Sequence, residues 1–197
     1  MSPLQKIAMG LVIVFGRATF PAHPHPDWKV YDGLADPFGW VLVIAGVTAL
    51  AAADGRFGVL RWPAWIAGVV SVPLWVPQLT HHLDDANSWA ASLPQLAFCI
   101  LLSKEIAEHA ALQAEPDAYV AKRFGLLLWA FVVVTVLPPI AIGGGITSLD
   151  NATVALSYIV DIAFVYYLFR VHRREWLGGP GPLLVQPRTR EGRPPSQ

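Results

Sequence analysis

FGLLLWAFVVVTVLPPIAI, residues 124–142, is nineteen residues long and carries no charge. As a helix it would rise about 28 Å at about 1.5 Å per residue, close to the hydrocarbon thickness of a bilayer. A soluble helix of that length keeps one polar face. Here the side chains are apolar all round, with Thr135 as the single hydroxyl, so the stretch reads as a membrane span.

Five further apolar stretches share this character: residues 4–20, 38–53, 62–79, 88–106 and 152–169. The first is the weakest. Its unbroken core is ten residues between Lys6 and Arg17, whose long side chains must snorkel to opposite interfaces. Asp36-Pro37 and Trp62-Pro63 open the second and third with proline in the first turn, and Asn87 or Ser88 suits the start of the fourth. The expected fold is therefore an all-α, polytopic integral membrane bundle of six transmembrane helices within residues 1–177. The alternative has five, with the first segment lying in the interface. Composition agrees, with hydrophobic residues at 54% of 197 and charged residues at 14%, and a mean hydropathy of +0.47. A soluble domain carries about 25% charged residues. Residues 178–197 are rich in Gly, Pro and Arg, lack periodicity, and read as a disordered basic tail.

A formal net charge of zero hides a strong spatial bias. Lys6, Arg56, Arg61, Lys104, Lys122, Arg123, Arg170, Arg173, Arg174, Arg188, Arg190 and Arg193 fall on one side of the spans. Lys29 falls on the other side, and Arg17 lies at the far edge of the first span. Loops rich in Lys and Arg stay cytoplasmic, so both termini and the tail are expected inside the cell membrane. Trp40, Trp75 and Trp89 fall near outer span ends and Trp62, Trp65 and Trp176 near inner ends, where amphipathic rings favour the headgroup level. Arginine exceeds lysine ten to four, and Ala, Gly and Pro are abundant, as in a bacterial chain from a GC-rich genome.

Three groups of residues carry candidate chemistry. Asp161 lies mid-way along residues 152–169, where an ionised carboxylate is costly. Thr153, Ser157 and Asp161 recur every four residues and share one helix face. That stripe is expected to face the bundle interior or a water-filled cavity, as a proton or cation relay or as a structural hydrogen-bonding seam. Thr48, Ser71, Gln95 and Thr135 are its candidate polar neighbours. On the outer side, His81, His82, Asp84 and Asp85 share a compartment with His23 and His25. Imidazole and carboxylate ligands suit a divalent metal, although the spacing matches no established ligand pattern. Pro73 and Pro77, four apart, are expected to kink the third span, as in transporters whose broken helices line a substrate site.

Two further features read as structural. Glu105, Glu108 and His109 lack the second histidine of the H-E-x-x-H metal pattern, so they read as a solvated helical extension with Lys104 four residues before Glu108. Cys99, the single cysteine, reads as a small buried hydrophobe. There is no nucleotide loop, cofactor fingerprint or catalytic triad, no cofactor is expected beyond the candidate metal, and nothing suggests nucleic-acid binding.

The expected function is an accessory or scaffold subunit whose partners are the bilayer and another membrane protein or a second copy. The alternatives are a small proton- or cation-coupled transporter using Asp161, and a membrane enzyme or sensor with an outer His/Asp metal site.

Overall fold

The structure, a computed structural model, describes residues 1–21, 30–32, 34–76, 79 and 82–181. Among the described residues six α-helices follow one another: α1 (Pro3–Phe15), α2 (Asp36–Ala53), α3 (Arg61–Trp75), α4 (Asp85–Ala111), α5 (Ala118–Gly144) and α6 (Thr147–Val171). A 3-10 turn, Gly55–Leu60, leads into α3, and another, Glu175–Leu177, follows α6. Between α1 and α2 two three-residue strands, β1 (Thr19–Pro21) and β2 (Val30–Asp32), pair antiparallel with Phe20 opposite Tyr31. Among the described residues five segments are long and apolar enough to cross a membrane: Asp36–Ala53, Gly55–Trp75, Asp85–Ala111, Ala118–Gly144 and Asn151–Val171. The chain is a multi-pass helical membrane protein.

Each helix packs against its neighbour in sequence, and α1 packs against α6, so the six close into a ring. Large side chains fill the interior, with Trp40 of α2 edge-on to Phe98 of α4 at 5.4 Å between centroids. Phe164 of α6 meets Phe131 at 5.1 Å and Phe124 at 6.3 Å, both on α5. The outside is also apolar: Val41, Trp65, Val69, Trp129, Ile159 and Ile162 are all exposed. Apolar residues on both faces of a helix are the pattern expected where lipid, not water, is the surrounding solvent.

The first helix is thirteen residues, about 20 Å at about 1.5 Å per residue. It packs lengthwise against α2. Glycine makes that possible. A Cβ built at Gly10 would lie 2.5 Å from the Gly39 carbonyl oxygen, and one at Gly39 would lie 2.7 Å from the Gly10 carbonyl oxygen. Further along, a Cβ at Gly46 would lie 2.6 Å from Ile7 Cγ1 and 2.8 Å from the Pro3 carbonyl oxygen. Backbones this close gain packing that lipid cannot replace, and Leu4, Ile7, Ala8 and Leu11 are buried as a result.

The prolines fall at helix ends and within helices. The third span, expected over 62–79 and kinked by Pro73 and Pro77, ends at Trp75. Pro73 lies in its last turn, and Val76 is extended at φ −84° and ψ 112°. That conformation suits a residue preceding proline, and Leu79 is helical again. Pro77 itself lies outside the described residues. In contrast, α5 continues through Pro138 and Pro139 to Gly144, and α4 contains Pro94. Pro139 has no N–H for the carbonyl of Thr135, four residues back. The indole N–H of Trp89 on α4 donates to that oxygen at 3.1 Å. Replacing Trp89 with Phe should strand it and cost about 1–3 kcal/mol, read as a lowered melting temperature in detergent. An unchanged temperature would show that the oxygen finds another donor.

The basic ends of the helices are tied together. A Cβ at Gly178, where φ is +69°, would touch Pro3 and Ala53 at 3.2 and 3.4 Å. Arg174 pairs with Asp117 at 2.9 Å, and the Asp117 N–H donates to the Ala110 carbonyl at 3.0 Å. The segment expected to be disordered from residue 178 is thus ordered at first. Leu177 is fully buried, and the N–H groups of Gly179 and Gly181 donate to the carbonyls of Arg174 and Arg173. Residues 182–197, the rest of that tail, lie outside the described residues.

Candidate functional site

The turn into α6 is set by Gly145, whose left-handed φ of +63° ends α5 while its N–H donates to the Ala141 and Ile142 carbonyls. The helix that follows buries Thr153, Val160, Phe164, Leu168 and Val171. Asp161, one residue from Val160, stands on the flank of that stripe. It faces a groove of about 360 Å³ between α1 and α6. Val12, Phe15 and Gly16 line it from the α1 side, and Tyr158, Ile162, Val165 and Tyr166 from α6. The α6 contributors lie one residue or about one turn from Asp161, so their presence follows from helical spacing. Nothing in the sequence points to α1 as the opposing wall.

The groove opens sideways. Val12, Tyr158, Ile162 and Tyr166 on its rim are all exposed on the apolar exterior. Asp161 has no hydrogen bond or ion pair among the described residues. The polar stripe is therefore divided. Thr153 returns its hydroxyl to the Leu149 carbonyl at 2.8 Å, and Ser157 to the Val154 carbonyl at 2.8 Å. The hydroxyls of Thr48, Ser71 and Thr135 likewise donate to their own helices. None of these five lines the groove at Asp161.

The outer histidine and aspartate residues are described only in part, because His23, His25 and His81 lie outside the described residues. Asp84 serves as the N-cap of α4, its Oδ1 accepting from the Asn87 N–H at 2.7 Å. Asp85 is exposed in the first turn and His82 is also exposed. Among the described residues no three His, Cys, Asp or Glu side chains converge as a metal site would require.

At the basic end, Lys104 pairs with Glu108 at 3.4 Å and with Glu105 at 3.7 Å. His109, expected to be a solvated helix residue, is largely enclosed. Its Nε2 lies 3.4 Å from Asp54 Oδ2, and its ring sits 5.4 Å from Phe57 and 5.2 Å from Trp176 between centroids. Asp54 also caps the turn before α3, accepting from the Arg56 N–H at 2.9 Å. Three separate segments meet at this imidazole, which makes it a structural tie. Sequence reasoning missed it because Asp54 and Trp176 lie far from His109 along the chain.

Comparison with protein-family models, with curated proteins and with solved structures found no match for this chain.

Proposed function

We propose that the chain is an accessory subunit of a bacterial cell membrane, seating a partner transmembrane helix in the groove between α1 and α6. The observation that carries this reading is the position of Asp161, an acid without a partner at the floor of a lipid-facing groove. A helix bringing a cation or hydrogen-bond donor to that depth satisfies the carboxyl group and covers the exposed rim. The test places a photoreactive side chain at Val12 or at Ile162 and a control at exposed Trp129. Cross-links to one defined protein from the rim positions, and not from Trp129, support the reading. Equal capture from all three positions would count against it.

Transport is the second reading, favoured by the same unpaired acid, since intramembrane carboxylates serve in proton relays. The aromatic filling at Trp40, Phe98, Phe131 and Phe164 argues against an aqueous route through the ring. If Asp161 relays protons or cations, Asp161→Asn abolishes coupled flux in proteoliposomes. Under the accessory reading there is no such flux to lose.

The orientation belongs to the same proposal. Lys6, Arg56, Arg61, Lys104, Lys122, Arg123, Arg170, Arg173 and Arg174 gather at the end where Pro3, Ala53, Asp117 and Gly178 meet. The rule that positive loops stay inside makes that end cytoplasmic. The natural Cys99 is buried, so engineered cysteines report with little background. A cysteine at Ser88 should react with a membrane-impermeant maleimide in intact cells, and one at Lys122 only after permeabilisation. The reverse pattern would overturn the orientation.

A further inference from the structure

Arg123, in the second turn of α5, and Arg170, in the last turn of α6, converge on one aromatic ring. Their guanidinium carbons lie 5.6 and 5.5 Å from the centroid of Tyr119. Tyr167 supports Arg123 at 5.9 Å, and Tyr166 supports Arg170 at 5.9 Å while accepting a hydrogen bond from its Nη1 at 2.7 Å. Neither arginine forms an ion pair with a carboxylate among the described residues. Arg170 also lines a groove of about 650 Å³, together with Arg173, Arg174, Glu115, Asp117 and Glu175. There Asp117 is taken by Arg174 at 2.9 Å, and Arg173 Nε donates to the Gly181 carbonyl at 3.0 Å. Glu115 and Glu175 are exposed to solvent, where salt screens them.

Two guanidinium groups gathered on one ring, neither of them ion-paired to a carboxylate, carry like charge that an anion would neutralise. A guanidinium stacked on an aromatic face keeps its edge N–H groups free, and that edge matches the oxygens of a phosphate. Because the rings already hold both side chains, an arriving anion has less side-chain freedom to remove. The depth also fits: both arginines lie towards the ends of the spans Ala118–Gly144 and Asn151–Val171, where a bilayer of ordinary thickness would place its headgroups. We infer that Tyr119, Arg123 and Arg170 form a binding site for a phosphate oxyanion, supplied by the headgroup of an anionic lipid. This inference is independent of the partner proposed for the groove at Asp161.

The test uses the full chain in neutral detergent at physiological salt, where long-range attraction is screened. Phosphatidylglycerol or phosphatidylcholine is added, and retained lipid is counted by native mass spectrometry. Wild-type protein should retain phosphatidylglycerol in preference to phosphatidylcholine. Arg123→Gln and Arg170→Gln should each lower retention about fivefold, and the double variant more than about twentyfold. Lys122→Gln, which removes an exposed neighbouring charge, should leave retention unchanged. Equal loss in Lys122→Gln, or full retention in the double variant, would overturn the site. If the double variant does not purify, Arg123→Gln read against Lys122→Gln decides the same question. A competing arm adds millimolar inorganic phosphate. Lipid that stays bound supports the headgroup as the source, and displacement by phosphate overturns that part in favour of a soluble phosphate.

Discussion

Gly39→Val should unfold the protein at a markedly lower temperature than wild type. The Cβ alone would lie 2.7 Å from the Gly10 carbonyl oxygen and from Val14 Cγ2, and 3.2 Å from Ile13 Cβ. The first of these is backbone and cannot rotate away, so α1 must move. Overpacking of a fitted core costs about 1–3 kcal/mol, and a backbone clash belongs at the upper end of that range. Gly125→Ala is the control. Nothing lies within 4 Å of a Cβ at Gly125, so that change removes a mid-helix glycine and should be neutral or stabilise by up to about 1 kcal/mol. Melting in detergent, followed by tryptophan fluorescence, reads both. Equal melting of Gly39→Val and wild type would mean that the two helices are not held by this contact. Because α1 supplies Val12, Phe15 and Gly16 to the groove, Gly39→Val should also weaken any complex that uses it, with Asp161 untouched.

Asp161→Leu should move stability and assembly in opposite directions. In the isolated chain the carboxyl group is partly buried among apolar side chains without a hydrogen-bonding partner. Burying a polar group uncompensated costs about 1–3 kcal/mol by mutational measures, so leucine should raise the melting temperature by several degrees. The same change removes the group that a partner helix would engage. Interhelical polar contacts in membranes contribute about 1–2 kcal/mol, so capture from Val12 or Ile162 should fall about tenfold. A protein that is steadier alone and poorer in complex is the signature of a group retained for function. If Asp161→Leu lowers the melting temperature and leaves capture unchanged, the carboxyl group is structural and the accessory reading fails at its central point.

The spans were legible because a bilayer demands long uncharged runs, and residues 124–142 meet that demand without ambiguity. Boundaries were less legible. The fourth span, expected over 88–106, runs Asp85–Ala111, because Asp84 caps it three residues earlier and Lys104, Glu105, Glu108 and His109 continue as a helix beyond the apolar run. Proline gave conflicting signals: the same residue type ends α3 after Pro73 and is carried through α5 at Pro138 and Pro139, where Trp89 supplies the missing donor. Local sequence does not contain that indole. The four-residue spacing of Thr153, Ser157 and Asp161 showed that they share a face, but the wall opposite Asp161 depends on ring closure between helices at opposite ends of the chain. The Gly10, Gly39 and Gly46 contacts escaped for the same reason, since glycine in an apolar run carries no sign of its neighbour.

The groove at Asp161 is also a seam in time. One wall comes from α1 and the other from α6, so α1 leaves the ribosome long before its opposing wall is made. Until α6 has entered the bilayer and docked, Val12, Phe15 and Gly16 face no opposing wall and the groove does not exist. Ring closure over so great a sequence separation is entropically the most demanding step of assembly. Under the proposed reading, a partner that recognises both walls would engage closed rings and pass over those still lacking α6.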